Sequence, residues 1–154
     1  MRLKFNDTII CDIDGTIANC EHRKHHVTSK PKNHDAFYAG VRDDKPIPNV
    51  MRLVFKLISG VGVPVQLTFV TGRPERCRDD TVAWLADYGF AKNTYDLFMR
   101  KDKDYRQDYI VKQEILDKHI DKERVWFVLD DREQVVNMWR RNGLTCFQVA
   151  EGKF

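Results

Sequence analysis

A chain of 154 residues, 42% hydrophobic and 11% aromatic, is long enough to bury a substantial core without disulfide or metal staples. Eight glycines and five prolines exclude a collagen-like or disordered chain, and 26 Lys+Arg against 23 Asp+Glu give a formal charge of +3, in itself no nucleic-acid signature. No apolar run reaches the ~20 residues of a membrane span, the start MRLKFNDTIICD has no secretory apolar region, and the four cysteines form no CxxC pair. A reduced, cytoplasmic, single-domain protein over residues 1–154, with no membrane partner, is expected.

Apolar runs alternate with amphipathic stretches, the pattern of a parallel α/β sheet. The first predicted strand, residues 8–13, is apolar and ends in acids. Residues 16–46 lack a clear period. Within them Arg23, Lys24, Lys30 and Lys32, interleaved with His22, His25, His26 and His34, face only Glu21, which suits either an anionic ligand or a solvated loop. A helix is predicted from Pro48, with Val50, Leu53, Val54, Leu57 and Ile58 on one face and Gly60 as its stop.

Residues 64–71 read as the second strand, ended by Gly72-Arg73-Pro74. A helix from Glu75 to Tyr88 turns Val82, Trp84 and Leu85 inward and closes at Gly89. Residues 96–100 are a short third strand, and a helix over 108–119 gathers Ile110, Val111, Ile115 and Leu116. Residues 125–129 form the fourth strand, ending in Asp130-Asp131. Val135, Val136, Met138 and Trp139 mark a last helix before Gly143 and a strand over 145–149. The expected architecture is a three-layer α/β sandwich: a five-stranded, mostly parallel sheet with a small cap insertion at about 18–45 after the first strand. Trp84, Trp126 and Trp139 fall in apolar periodicity and are assigned to the core. Phe37, Tyr38 and Tyr105 lie in loop-like surroundings and are better candidates for stacking on bases.

Ligands of parallel α/β sheets bind beyond the carboxyl ends of the strands. Three predicted strand ends carry polar groups there: Asp12-Ile13-Asp14-Gly15-Thr16, Thr71-Gly72-Arg73 and Asp130-Asp131. Two pairs of acids at one edge repel unless a cation sits among them, and carboxylate oxygens shared with a substrate phosphate suit Mg²⁺. Gly15 allows the backbone to turn its amides toward an anion. HxxHH at His22, His25 and His26 lacks the fourth ligand of a zinc site, and no GxxxxGK[ST] loop is present, so no ATP-dependent kinase is expected.

This arrangement resembles the haloacid dehalogenase superfamily of phosphatases and phosphotransferases. Asp12-Ile13-Asp14-Gly15-Thr16 matches its first motif, Thr71 its second, Lys112 its third and Asp130-Asp131 its fourth. Within it, the chain is most similar to the 3′-phosphatase domains of T-even phage polynucleotide kinase/phosphatases. That likeness rests on Val70-Thr71-Gly72-Arg73, on Val111-Lys112-Gln113-Glu114-Ile115 with Lys118-His119-Ile120, and on DDREQVVNMWRR from Asp130 to Arg141. It continues through Gly143, Cys146, Gln148-Val149-Ala150 and Gly152 to Phe154. Residues 18–45 depart from the family, apart from Arg23 at the place of a substrate-binding arginine.

The resemblance implies Asp12 as nucleophile, forming an aspartyl-phosphate, and Asp14 as general acid and then base. That role leads to the expectation of an Asp14 pKa above that of an exposed aspartate. Thr71 would donate to a phosphoryl oxygen and Lys112 would offset charge on Asp12. Mg²⁺ would be held by Asp12, Asp130, Asp131 and Asp14, the last through its backbone carbonyl. Gly15, Thr16, Arg23, Gly72 and Arg73 would bind the substrate phosphate. Asp108, which matches a family acid near Lys112, would join the substrate-binding set, its alternative being an ordinary N-cap. The implied reaction is removal of a 3′-phosphate from DNA or RNA ends. A 5′(3′)-nucleotidase would use the same core on mononucleotides, whereas a non-catalytic nucleic-acid-binding module has no need of so acidic an edge.

Overall fold

A computed structural model of the chain describes residues 7–60, 62 and 64–152. The terminal Phe154 of the resemblance lies outside them, as do the first six residues. Five strands, β1 (Thr8–Cys11), β4 (Gln66–Pro74), β5 (Tyr95–Arg100), β6 (Val125–Arg132) and β7 (Cys146–Gly152), make one sheet in the order β5-β4-β1-β6-β7. Every pairing in it is parallel, so both faces need cover.

Alternation along each strand divides that cover. Ile9, Cys11, Leu67, Phe69, Phe127 and Leu129 face Met51 and Val54 of α3 (Pro48–Ile58) and Trp84 and Leu85 of α4 (Arg78–Asp87). Ile10, Val70 and Val128 face Val111, Ile115 and Leu116 of α5 (Asp108–His119) and Val135, Val136 and Trp139 of α6 (Glu133–Arg141). The result is the expected three-layer α/β sandwich. α4 and α6 are each followed by a glycine in the left-handed region, Gly89 and Gly143.

Several expectations at the margins change. β1 stops at Cys11, so Asp12 and Asp14 sit in the turn beyond it, while β4 runs on through Arg73. The helix expected from Glu75 opens with a tighter 3₁₀ turn, Glu75–Cys77, before α4. Leu53 and Ile110, at the edges of their helical faces, are exposed. Trp126 is not core: it is 46% exposed, and the ladder explains why. Thr8 pairs with Val125 and Ile9 with Phe127, so Trp126 falls in a bulge without a partner on β1.

The insertion is ordered. A two-stranded antiparallel ribbon, β2 (Ala18–Asn19) with β3 (Lys45–Pro46), closes its neck. Two short helices, α1 (Glu21–Thr28) and α2 (His34–Ala39), pack on each other above it. α1 buries only Arg23 and α2 buries no residue, so neither carries an apolar stripe, which is why the stretch reads as aperiodic. Among the described residues no helix is long and apolar enough to cross a membrane. The four cysteines are buried and unpaired.

Candidate active site

The ends of β1 and β6 bring three carboxylates together. One oxygen from each of Asp12, Asp130 and Asp131 lies within 4.8 Å of the others. α5 points Lys112 into this floor: its Nζ donates to Asp12 Oδ1 at 2.7 Å and to Asp130 Oδ2 at 2.9 Å. Thr16 Oγ1 donates to Asp12 Oδ2 at 3.0 Å, so both oxygens of Asp12 are positioned. Trp139, buried in the core, reaches up to donate from Nε1 to Asp130 Oδ2 at 3.2 Å. Gly15 has a φ of +83°, and a Cβ there would run into the Asp131 carboxylate, so the turn can pass this acid only as glycine.

The electrostatics are those of a site short of positive charge. Burial pushes the Asp12 carboxyl well above its ordinary range, and Asp130 and Asp131 add to this against the pull of Lys112. Burial and the charge of Asp130 push Asp131 up to about 6. Burial also disfavours the Lys112 ammonium, but Asp12, Asp130 and Asp108 outweigh it and keep the side chain charged. The donor set consists of hard oxygens with negative charge in excess, which fits a divalent cation such as Mg²⁺.

A second cluster ties the cap to the sheet. Arg23 of α1 is 2% exposed and donates from Nε and Nη2 to Asp44, both at 2.7 Å. It also donates from Nη2 to Asp14. Arg73, at the end of β4, is fully buried; its Nη2 meets Asp14 Oδ1 at 2.7 Å and Asp44 Oδ2 at 2.8 Å. Two guanidiniums and two carboxylates thus close on themselves, with His22 Nε2 2.8 Å from Asp44 Oδ1. Trp84 Nε1 donates to the Asp44 backbone carbonyl at 2.8 Å.

This corrects the expectation for Asp14. Burial would raise its pKa, but Arg73 and Arg23 outweigh burial and hold it at about 2. Its side chain joins the arginines rather than the Asp12–Asp130–Asp131 group.

The remaining residues surround these two clusters. Thr71 is fully buried, its Oγ1 accepting from the Arg73 amide at 3.2 Å. Asp108 is not the N-cap of α5, which is Gln107. Its carboxylate instead takes Arg100 Nη2 at 3.1 Å and stands 3.6 Å from Lys112 Nζ. A Cβ on Gly72 would collide with Asp108, which is the reason for glycine there.

Of the aromatic candidates in the cap, Phe37 lies 4.2 Å from the Arg23 guanidinium, and Tyr38 donates its hydroxyl to the Gly72 carbonyl at 3.3 Å. The rings of His25 and His26 are 3.9 Å apart, but no group of three metal-ligating side chains forms around them among the described residues.

Two residues escaped the sequence reading. Asp44 carries no motif, and its partners lie 21 and 29 positions away. Arg100, which also donates from Nε to the Gly72 carbonyl at 2.9 Å, stands at the carboxyl end of β5. The same strand-end rule that found Asp12 and Asp130 would have found it.

Comparison with known proteins places the chain in a family. Residues 6–154 match the family described as the polynucleotide kinase PNKP phosphatase domain. A protein of Autographa californica nuclear polyhedrosis virus, whose name includes "bifunctional polynucleotide kinase/RNA ligase", is 31% identical over 138 residues, 89% of this chain and 18% of that protein. A structure of the Pnkp1/Rnl/Hen1 RNA repair complex contains a chain 35% identical, with a TM-score of 0.78 over 97% of this chain and 44% of that one. This chain therefore spans less than half the length of these relatives. A haloacid dehalogenase-like hydrolase of Streptococcus pneumoniae, 14% identical with a TM-score of 0.63 over 93% of this chain and 83% of that one, shares the fold. With residues 6–154 matched to it, the chain belongs to the polynucleotide kinase phosphatase-domain family, phosphoric monoester hydrolases of the haloacid dehalogenase superfamily.

Proposed function

We propose that this chain is one phosphatase unit, capped by residues 18–45, that removes the 3′-phosphate from DNA or RNA ends. The observation that carries the reading is Asp12: a buried carboxylate with Lys112 on one oxygen, Thr16 on the other, and Asp130 and Asp131 beside it. A structural ion pair needs no second and third acid, whereas a nucleophile facing a phosphate dianion needs a site that gathers cations. Asp12, Asp130 and Asp131, with the Asp14 backbone carbonyl, would hold Mg²⁺, which would supply charge against the phosphoryl oxygens.

An oxygen of Asp12 bonds to phosphorus as the P–O3′ bond breaks, and Asp14 gives its proton to O3′. Asp14 then takes a proton from the water that attacks the aspartyl-phosphate, which releases inorganic phosphate and restores Asp12. Lys112 balances Asp12 through both steps. The Thr71 hydroxyl, which accepts from the Arg73 amide, has its own proton to donate to a phosphoryl oxygen. The Gly15 and Thr16 amides are spent inside the turn, on the Ala18 and Ile13 carbonyls, and so are not free for the phosphate as expected. Gly15 and Gly72 instead leave room where a Cβ would meet Asp131 and Asp108, and Thr16 holds Asp12. Arg23 and Arg73 hold Asp14 ionised before substrate arrives, and a phosphate dianion competes for those guanidiniums. As they turn to the phosphate, the Asp14 carboxylate takes up a proton from solvent, and this is the proton it gives to O3′.

The relatives' names support a nucleic-acid substrate, and the RNA repair complex supports RNA among the ends to test. Phosphate release with Mg²⁺ from 3′-phosphoryl DNA and RNA oligonucleotides, set against 5′-mononucleotides, decides the matter. Turnover faster on the oligonucleotides is expected. Preference for the mononucleotides would replace this reading with a nucleotidase.

A further inference from the structure

Of the three aromatic side chains that the sequence singles out for stacking, two are engaged: Phe37 under Arg23, and Tyr38 against Gly72 and the Arg76 guanidinium, 5.6 Å from its ring. Tyr105 is 83% exposed and makes no hydrogen bond or ring contact among the described residues. An open tyrosine at a loop tip is ordinary on its own. The loop beneath this one is not.

Its neighbours on both sides are pinned. Arg100 Nη1 donates to the backbone carbonyls of Asp104, at 3.1 Å, and of Arg106, at 2.6 Å, so one guanidinium brackets Tyr105 from below. Across the tyrosine, the Arg106 amide and side chain donate to the Asp104 carboxylate at 2.6 to 3.1 Å, and Arg106 Nη2 reaches Glu114 of α5 at 2.6 Å. The same Arg100 donates from Nε to the Gly72 carbonyl and from Nη2 to Asp108. The backbone on either side of Tyr105 is therefore fixed relative to the strand end that carries Thr71 and Arg73. Lys101, Lys103 and Arg106 are exposed on the same loop.

We propose that Tyr105 is a stacking platform for a nucleobase of the strand whose 3′-phosphate enters the site, an inference that rests on the polynucleotide reading above. A ring on a backbone already held loses little freedom when it is covered, and Lys101 and Lys103 offer charge to the neighbouring phosphates. Every base presents a π-face, so the platform recognises a strand without reading its sequence. It also supplies what the buried arginines cannot. They recognise a phosphate, which a mononucleotide also carries, whereas Tyr105 favours a substrate with a further base.

The test compares wild type with Tyr105→Ala, Tyr105→Phe and Tyr105→Trp on a 3′-phosphoryl octanucleotide and on p-nitrophenyl phosphate. For Tyr105→Ala, kcat/KM on the octanucleotide is expected to fall about 5- to 100-fold, mostly through KM, with p-nitrophenyl phosphate unchanged. Phe and Trp should keep the octanucleotide activity within about threefold, because they keep the ring. An equal loss on both substrates would make Tyr105 a structural residue and overturn the proposal, as would an unchanged octanucleotide KM in Tyr105→Ala. Wild-type protein that hydrolyses p-nitrophenyl phosphate but not the octanucleotide would instead sink the polynucleotide reading itself.

Discussion

Two buried charge clusters lie side by side at the sheet edge, and they are balanced differently. The cap cluster pairs Arg23 and Arg73 with Asp14 and Asp44, two charges of each sign in a closed ring of hydrogen bonds. The floor sets Asp12, Asp130 and Asp131 against Lys112. The first is complete as a structure and fastens the insertion to the sheet. The second has negative charge left over, which fits it to a cation and then to a phosphate. Burial raises pKa values in the floor, whereas in the cap cluster the arginines overcome burial and lower that of Asp14.

The largest test of this contrast is chemical. Asp12→Asn should retain below ~1% of the wild-type kcat, a loss of at least ~3 kcal/mol in barrier lowering. The fold should survive it, and steady-state rates beside a thermal melt would show both. Asp44→Ala should do the reverse in emphasis. It leaves two buried guanidiniums with one carboxylate and should lower unfolding free energy by about 3–5 kcal/mol, read from urea unfolding. A melt unchanged from wild type would mean that the cap is not fastened by this cluster.

The pKa shifts give the two clusters opposite pH signatures in metal-free protein. Asp14, lowered to about 2, contributes stability that is present above the unfolded pKa near 4. That contribution, roughly 2 kcal/mol, is lost as pH falls from about 4 to 2. Asp131, raised to about 6, favours the folded state most below the unfolded pKa. Asp12 is raised beside it, and the joint contribution of the two acids fades as pH rises above about 4. Denaturant unfolding between pH 4 and 7 should show that loss in wild type and a smaller one in Asp131→Asn, where Asp12 still contributes; parallel curves would refute the assignment. The smallest effect belongs to the outer cap, where Lys30 and Lys32 are exposed. Replacing both with Ala should reduce the slope of log K against log salt for oligonucleotide binding by about 0.7 for each phosphate contact removed.

The floor was legible in the sequence because parallel strands announce themselves as apolar runs, and their ends are where ligands bind. Asp12, Thr71 and Asp130 were found that way, and Lys112 followed from the family motif. Of the cap cluster, Asp14, Arg23 and Arg73 were singled out, but Asp44 and the ring that joins the four were not legible. The cap helices bury a charged side chain, Arg23, instead of an apolar stripe, and the partners Asp14 and Arg73 are 59 positions apart. No local pattern encodes such a ring of ion pairs. Trp126 failed for a related reason: alternation assigns faces only while the register holds, and a single bulge shifts it.

The three tryptophans also divide the molecule in a way that spectroscopy can use. The indole N–H of Trp139 is bonded to Asp130, that of Trp84 to the Asp44 carbonyl, and Trp126 looks out to solvent. Each emission therefore belongs to a different neighbourhood: the floor, the cap anchor and the outside. With Trp126 replaced by Phe to remove the solvent-facing signal, intrinsic fluorescence becomes a two-channel reporter. Cation entry would perturb Trp139 and cap release would perturb Trp84, without any label added to the protein.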